Sequence, residues 1–187
     1  MNEQTETPNI FLVGPMGSGK SAVGRRLARD IRADFVDSDA VIEQRTGVEI
    51  SYIFEKEGES GFRRREREML DELTGLSGIV LATGGGSVLA PENRAYLAER
   101  GRVVYLRASI PQLLERTSHN RNRPLLANGN AEETLTELLE QRDPLYREIA
   151  EFCVDTDGRT VADVAVEIRR WLSDDAPAEE CPANSAR

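Results

Sequence analysis

Residues Gly14 to Ser21 read Gly-Pro-Met-Gly-Ser-Gly-Lys-Ser, which fits the spacing G-x-x-x-x-G-K-[ST]. Each part answers a physical need of a nucleoside triphosphate. Glycines let backbone N–H groups turn inward and approach phosphate oxygens where a Cβ would clash. Gly17, Ser18 and Gly19 supply that cradle, and Ala22 continues it into the next element. Lys20 has the reach for the β- and γ-phosphates, and the Ser21 hydroxyl suits Mg²⁺. A helix that follows would point its positive end at the same anion.

A second constellation is Asp37-Ser38-Asp39. Its carboxylates close an apolar run, on the edge of a sheet where ligands sit. In phosphoryl transfer, one could support Mg²⁺ and the other orient a hydroxyl nucleophile. Ser38 or Asp39 could equally cap a helix starting near Ala40. A third, Thr83-Gly84-Gly85-Gly86, follows another apolar run. It predicts either a loop passing close to a ligand or a plain tight turn. No Asp ends that run, so Asp37 is the expected metal-side carboxylate.

Arginines form the rest of the candidate chemistry. In Phe62-Arg63-Arg64-Arg65-Glu66, helical spacing puts Phe62, Glu66, Met69, Leu70 and Leu73 on one face. Arg63 and Arg65 flank that face, and periodicity does not choose between them. Glu66 on the apolar side needs a partner, because a lone buried carboxylate is costly. In Arg142-Asp143-Pro144-Leu145-Tyr146, Pro144 is expected to break or kink the helix, with Asp143 capping its continuation and Arg142 projecting from the break. Arg123, before Pro124 in the polar stretch 118–130, is a candidate cation for closing on phosphates. His119 is the one histidine, so neither a triad nor a histidine metal cluster is available.

These groups must be held by regular elements. Short β-favouring runs predict strands at 9–13, 33–37, 79–83, 102–106 and 151–155. Helical periodicity predicts helices at 20–31, 39–46, 60–74, 91–100, 110–117, 131–149 and 160–172. Strands alternating with helices mark an α/β fold on a parallel sheet. The stretch 47–58 reads as one or two helical turns at most, and 118–130 as a lid-like loop.

The bulk numbers agree with one domain, residues 9–172, in a chain of 187. A net charge of −9 argues against general nucleic-acid binding. No apolar run approaches membrane-spanning length and no secretory segment follows Met1, so the cytoplasm is expected. Two cysteines, Cys153 and Cys181, are too few for a disulfide framework or a zinc site, and Cys153 is expected as a buried thiol. Residues 1–8 and 173–187 read as disordered tails. No coiled coil or pairing segment stands out, so a monomer is expected.

Taken together, Gly14 to Ser21, Asp37-Ser38-Asp39, Gly58-Glu-Ser-Gly-Phe-Arg63, Thr83 to Gly86, Arg123-Pro-Leu-Leu126 and Arg142 to Tyr146 resemble the shikimate kinase family, in order and spacing. The resemblance spans about residues 9–172. It implies a three-layer P-loop kinase fold: a central five-stranded parallel sheet flanked by helices, with a mobile lid. It implies transfer of the ATP γ-phosphoryl group to the 3-hydroxyl of shikimate, with Mg²⁺, in chorismate and aromatic amino-acid synthesis. On the matching positions, Asp39 would orient the shikimate hydroxyls, with a role as base left open. Arg63 and Arg142 would hold its carboxylate, and the Gly85 N–H would donate to it. Lys20 and Arg123 would act on the phosphates, with Ser21 on Mg²⁺ and Asp37 assisting through water. Arg116 and Arg159 match adenine-side positions.

Overall fold

The computed structural model describes residues 8–118 and 130–173. Five strands form one sheet: β1 (Ile10–Val13), β2 (Asp34–Asp37), β3 (Ile79–Ala82), β4 (Arg102–Arg107) and β5 (Phe152–Asp155). All pairings are parallel, in the order β2-β3-β1-β4-β5. Because parallel strands are joined by crossovers, helices cover both faces and the central strands are apolar on both sides. β1 shows this directly. Ile10 and Leu12 enter one core with Val23 and Leu27 of α1 (Lys20–Ile31) and Val164 and Ile168 of α7 (Val161–Ser173). Phe11 and Val13 enter the other, with Leu70 of α3 (Ile50–Thr74), Leu97 of α4 (Pro91–Arg100) and Tyr146 of α6 (Ala131–Ile149). The result is the expected three-layer fold.

The remaining helices are α2 (Ser38–Thr46) and α5 (Ile110–Thr117), and a single 3₁₀ turn at Ser87–Leu89 follows β3. No helix of the described residues is long and apolar enough to cross a membrane. Cys153 on β5 is half-buried and disulfide-bonded, where a buried thiol was expected.

Three local departures from the sequence reading shape the site. Residues 50–57 are helical and run into the expected helix at 60–74 through one residue, Gly58, at φ 68° and ψ −178°. Only glycine reaches that conformation without strain, so the 25-residue element bends there. The cap of α2 is Asp37 rather than Ser38 or Asp39: its side chain accepts from the Asp39 and Ala40 N–H groups at 3.2 and 3.3 Å. Finally, α6 does not break at Pro144 but passes through it. Asp143 caps nothing; it accepts from Tyr105 Oη at 2.8 Å and Arg147 Nε at 2.6 Å. These two bonds hold the segment helical against the hydrogen bond that proline cannot make.

Gly14 gives a stability test of the strand-to-loop junction. Its φ is 142°, and an added Cβ would stand 2.5 Å from the Leu106 carbonyl oxygen. Neither the strained dihedral nor a backbone clash can relax cheaply. Gly14→Ala should lower the thermal midpoint by about 5–10 °C. A scan showing a change under about 2 °C would count against this packing.

Candidate active site

The site lies along the C-terminal ends of the sheet, where open α/β sheets bind ligands. Its cavity measures about 770 Å³. β1 runs into the glycine loop, which turns directly into α1. Gly17 and Gly19 take φ of 83° and 96°, conformations open to glycine. Lys20 is buried and folds back over the loop, donating from Nζ to the carbonyls of Gly14 at 2.7 Å and Pro15 at 2.8 Å. Beside it, the Ser21 hydroxyl donates to Asp37 Oδ2 at 2.6 Å. A hydroxyl and a carboxylate therefore meet at the end of β2, while the other Asp37 oxygen caps α2.

The second half of the cavity is built on α2, α3, α6 and the loop after β3. Ser38 is fully buried and accepts from the Gly84 N–H at 3.1 Å, tying α2 to that loop. Gly85 passes so close to the nucleotide-type loop that a Cβ on it would meet the Met16 nitrogen at 3.2 Å. On α3, Arg63 donates to Glu66 at 2.8 Å and to Glu59 at 3.0 Å. Its guanidinium lies flat enough on Gly86 that a Cβ there would overlap it. Arg65, the alternative left open by periodicity, instead pairs with Glu57 at 2.7 Å on the surface. Arg142 is buried, and its Nε has no hydrogen-bond acceptor among the described residues.

Two carboxyls here are electrostatically unusual. Asp39 is pushed up to about 7, first by burial, then by the negative charges of Glu66 and Asp37, with Lys20 opposing. Glu66 is also raised, by burial, against the pull of Arg63 and Arg142. Each keeps one buried oxygen without a hydrogen-bond partner among the described residues, Asp39 Oδ1 and Glu66 Oε1. Both oxygens approach one point: a Cβ on Gly84 would stand 2.8 Å from the first and 2.9 Å from the second. These two oxygens are packed against Gly84, while the residues Asp39, Arg63 and Arg142 line the cavity, a set that suits a small ligand carrying both hydroxyls and a negative charge.

The profile of the shikimate kinase family matches residues 16–173. The chain is also 56% identical over 167 residues to a shikimate kinase of Thioalkalivibrio sulfidiphilus, covering 89% of this chain and 88% of that one. The chain belongs to the shikimate kinase family. A solved shikimate kinase from Acinetobacter baumannii, in complex with shikimate, is similar in structure with a TM-score of 0.87 at 49% identity, covering 89% of this chain and 93% of that one. A gluconokinase from Sinorhizobium meliloti, at 21% identity and a TM-score of 0.59, shares the fold alone.

Of the residues that the shikimate kinase pattern singles out, Gly17, Gly19, Lys20, Ser21, Ala22, Asp37, Asp39, Arg63, Gly85, Arg116 and Arg142 line this one cavity. Ser18 belongs to the loop but is buried with its hydroxyl unpaired. Arg116 reaches from α5 to the Gly17 carbonyl at 3.3 Å and to Thr156 at 2.8 Å, bridging the phosphate loop and the turn after β5. Arg159 is not brought to the cavity. It ion-pairs with Glu167 of α7 at 2.5 Å and donates to the Asp155 carbonyl at the end of β5. Arg123 and the stretch 119–129 lie outside the described residues. Sequence reasoning missed Glu43 and Phe54, which also line the cavity, and the partners Asp143 and Tyr146. Glu43 carried no local signal. Phe54 and Tyr146 stood beside or in motifs read for their arginines, and Asp143 was read as a helix cap.

Proposed function

We propose that this chain transfers the γ-phosphoryl group of ATP to the 3-hydroxyl of shikimate, giving shikimate 3-phosphate and ADP. The observation that carries the reading is the convergence of Asp39, Arg63 and Arg142 on the cavity that holds Lys20. The glycine loop and the N-terminus of α1 bind the triphosphate, and Lys20 places positive charge on its transferring end. Arg63 and Arg142 take the substrate carboxylate through charge-assisted hydrogen bonds. Asp39 accepts the hydroxyl hydrogen bond and orients the oxygen in line with the γ-phosphorus, receiving its proton as transfer proceeds. Arg123 is proposed to neutralise charge on the phosphates.

The donor set fits a small hard cation. Ser21 Oγ and Asp37 Oδ2 are adjacent oxygens, the first suited to bind the cation and the second to assist through water, and no group of three or more His, Cys, Asp or Glu among the described residues could hold a metal alone. Mg²⁺, which takes few protein ligands and completes its shell with phosphate and water, suits this pair. When bound, it would neutralise β- and γ-phosphate charge. The enzyme is proposed to act as a cytoplasmic monomer on small molecules, without nucleic-acid or membrane partners.

An ADP-release assay with shikimate, gluconate and a nucleoside monophosphate tests the acceptor. Stimulation by shikimate alone is expected; none above the ATP-only background in folded protein would reject the reading. The pH profile is a further test. A base raised to about 7 is protonated below that value in the free enzyme. The value of kcat/KM for shikimate should therefore fall about tenfold per unit as pH drops below ~7. A flat profile from pH 8 to pH 5.5 would remove Asp39 as the base.

A further inference from the structure

The Gly85 carbonyl is held by a buried side chain that the mechanism above leaves unused. Tyr146 has no exposed surface, and its hydroxyl donates to the Gly85 oxygen. The chain of support behind it is complete. The Tyr146 ring packs on Tyr105 with centroids 4.9 Å apart. Tyr105 donates to Asp143, which also holds Arg147. Arg142, one helical turn before Tyr146, is near enough for its charge to act on the same hydroxyl. The two residues share a face of α6, Arg142 lining the cavity and Tyr146 holding the loop that borders it.

A trans peptide points its N–H opposite its carbonyl. With the Gly85 oxygen fixed by Tyr146, the N–H of the same peptide unit, that of Gly86, is directed away from the Tyr146 hydroxyl. Gly86 is the residue on which the Arg63 guanidinium rests. Neither the Gly85 nor the Gly86 N–H finds an acceptor among the described residues. On its other side, Gly85 runs beside the phosphate loop, where an added Cβ would crowd the Met16 nitrogen at 3.2 Å.

We propose that Tyr146 is a positioning residue: its hydroxyl fixes the Gly85–Gly86 peptide so that the N–H groups of the loop, Arg63 and Arg142 form one preset cradle for the acceptor's carboxylate. It acts through the peptide and touches no reacting atom. A hydrogen bond received at the carbonyl also polarises the peptide and makes the Gly86 N–H a stronger donor. The inference rests on the reading of the acceptor as an acidic alcohol, and deepens it.

Tyr146→Phe keeps the ring and deletes the donor. The KM for shikimate should rise about tenfold, one hydrogen bond's worth of binding. The KM for MgATP should stay within about twofold, and kcat should fall less than the KM rises. In ¹⁵N-labelled protein, the Gly86 amide proton should move upfield in the variant, before any ligand is added. Equal losses for both substrates, or a shikimate KM within about twofold of wild type with an unmoved Gly86 amide, would overturn the proposal. If Y146F does not fold, the wild type still decides. The Tyr146 hydroxyl proton should give a slowly exchanging resonance with and without shikimate, and a rapidly exchanging one would overturn the role. Wild type that turns over no shikimate would defeat the functional reading instead, leaving the amide shift to judge the contact.

Discussion

Replacing Asp39 with asparagine should lower kcat by about 10²–10⁴-fold, the usual contribution of a positioned acid–base group, and should raise the stability of the ligand-free protein. The two effects have one cause. The Asp39 carboxyl is enclosed near Glu66 and Asp37, with Oδ1 unpaired, and folding pushes it up to about 7. Under the proposed role, the same environment makes it a proton acceptor matched to neutral pH, which offsets that cost in function. The sign of the pH dependence follows. At low pH the group is protonated in both folded and unfolded chains, so it imposes no penalty. As pH rises above ~4, the unfolded carboxyl ionises first, and the folded protein loses stability until its own value is passed near 7. Asp39→Asn escapes this loss. Its thermal midpoint should exceed that of wild type by roughly 5 °C at pH 8, with the difference shrinking towards zero at pH 4. A variant less stable than wild type at pH 8 would show that Asp39 is a structural partner rather than a destabilised functional group. Wild-type turnover would show that it does no chemistry.

What made such a residue readable in the sequence was its motif. Local patterns carried the fold well: four helices have the bounds that spacing and capping predicted, because apolar stripes and terminal glycine or proline act within one element. The phosphate loop was legible for the same reason, since its geometry is written in consecutive residues. Contacts between distant elements were not. Glu66 announced that it needed a partner, but only the bend at Gly58 and the packing of α3 decide for Arg63 and give Arg65 to Glu57. Pro144 looked like a break because the bonds from Tyr105 and Arg147 that hold its neighbour Asp143 come from β4 and the next helical turn. Arg159 followed a position match, yet its partners are Asp155, Asp163 and Glu167 at the mouth of α7, and these draw it away. Arg116, matched on equally loose grounds, does reach the phosphate loop, because Thr156 holds its guanidinium against Gly17.

The two arginines proposed to hold the substrate carboxylate should prove unequal. Arg63 already serves Glu59 and Glu66, so a ligand carboxylate must compete with partners in place. Arg142 is more deeply buried and keeps an unsatisfied Nε, with Glu66 near enough to feel its charge. A buried cation with spare donors gains most from an incoming anion, and removing one side of a desolvated charge pair costs about 3–5 kcal/mol. Arg142→Ala should therefore raise the KM for shikimate by about 10²–10³-fold. Arg63→Ala should raise it roughly tenfold less, since the lost contact was shared with Glu59 and Glu66, and it should also lower stability by leaving the buried Glu66 carboxyl without its partner. Arg142→Lys should recover little, because a point charge cannot reproduce the planar fork. In all three variants MgADP affinity should stay within about twofold, as the phosphate loop is untouched. Titration calorimetry with MgADP and steady-state kinetics in shikimate separate the outcomes. Parallel loss of both ligands in Arg142→Ala would mean that α6 supports the whole cavity rather than one carboxylate. An Arg63 variant worse than the Arg142 variant would mean that Glu59 and Glu66 preset the first arginine for the ligand instead of competing with it.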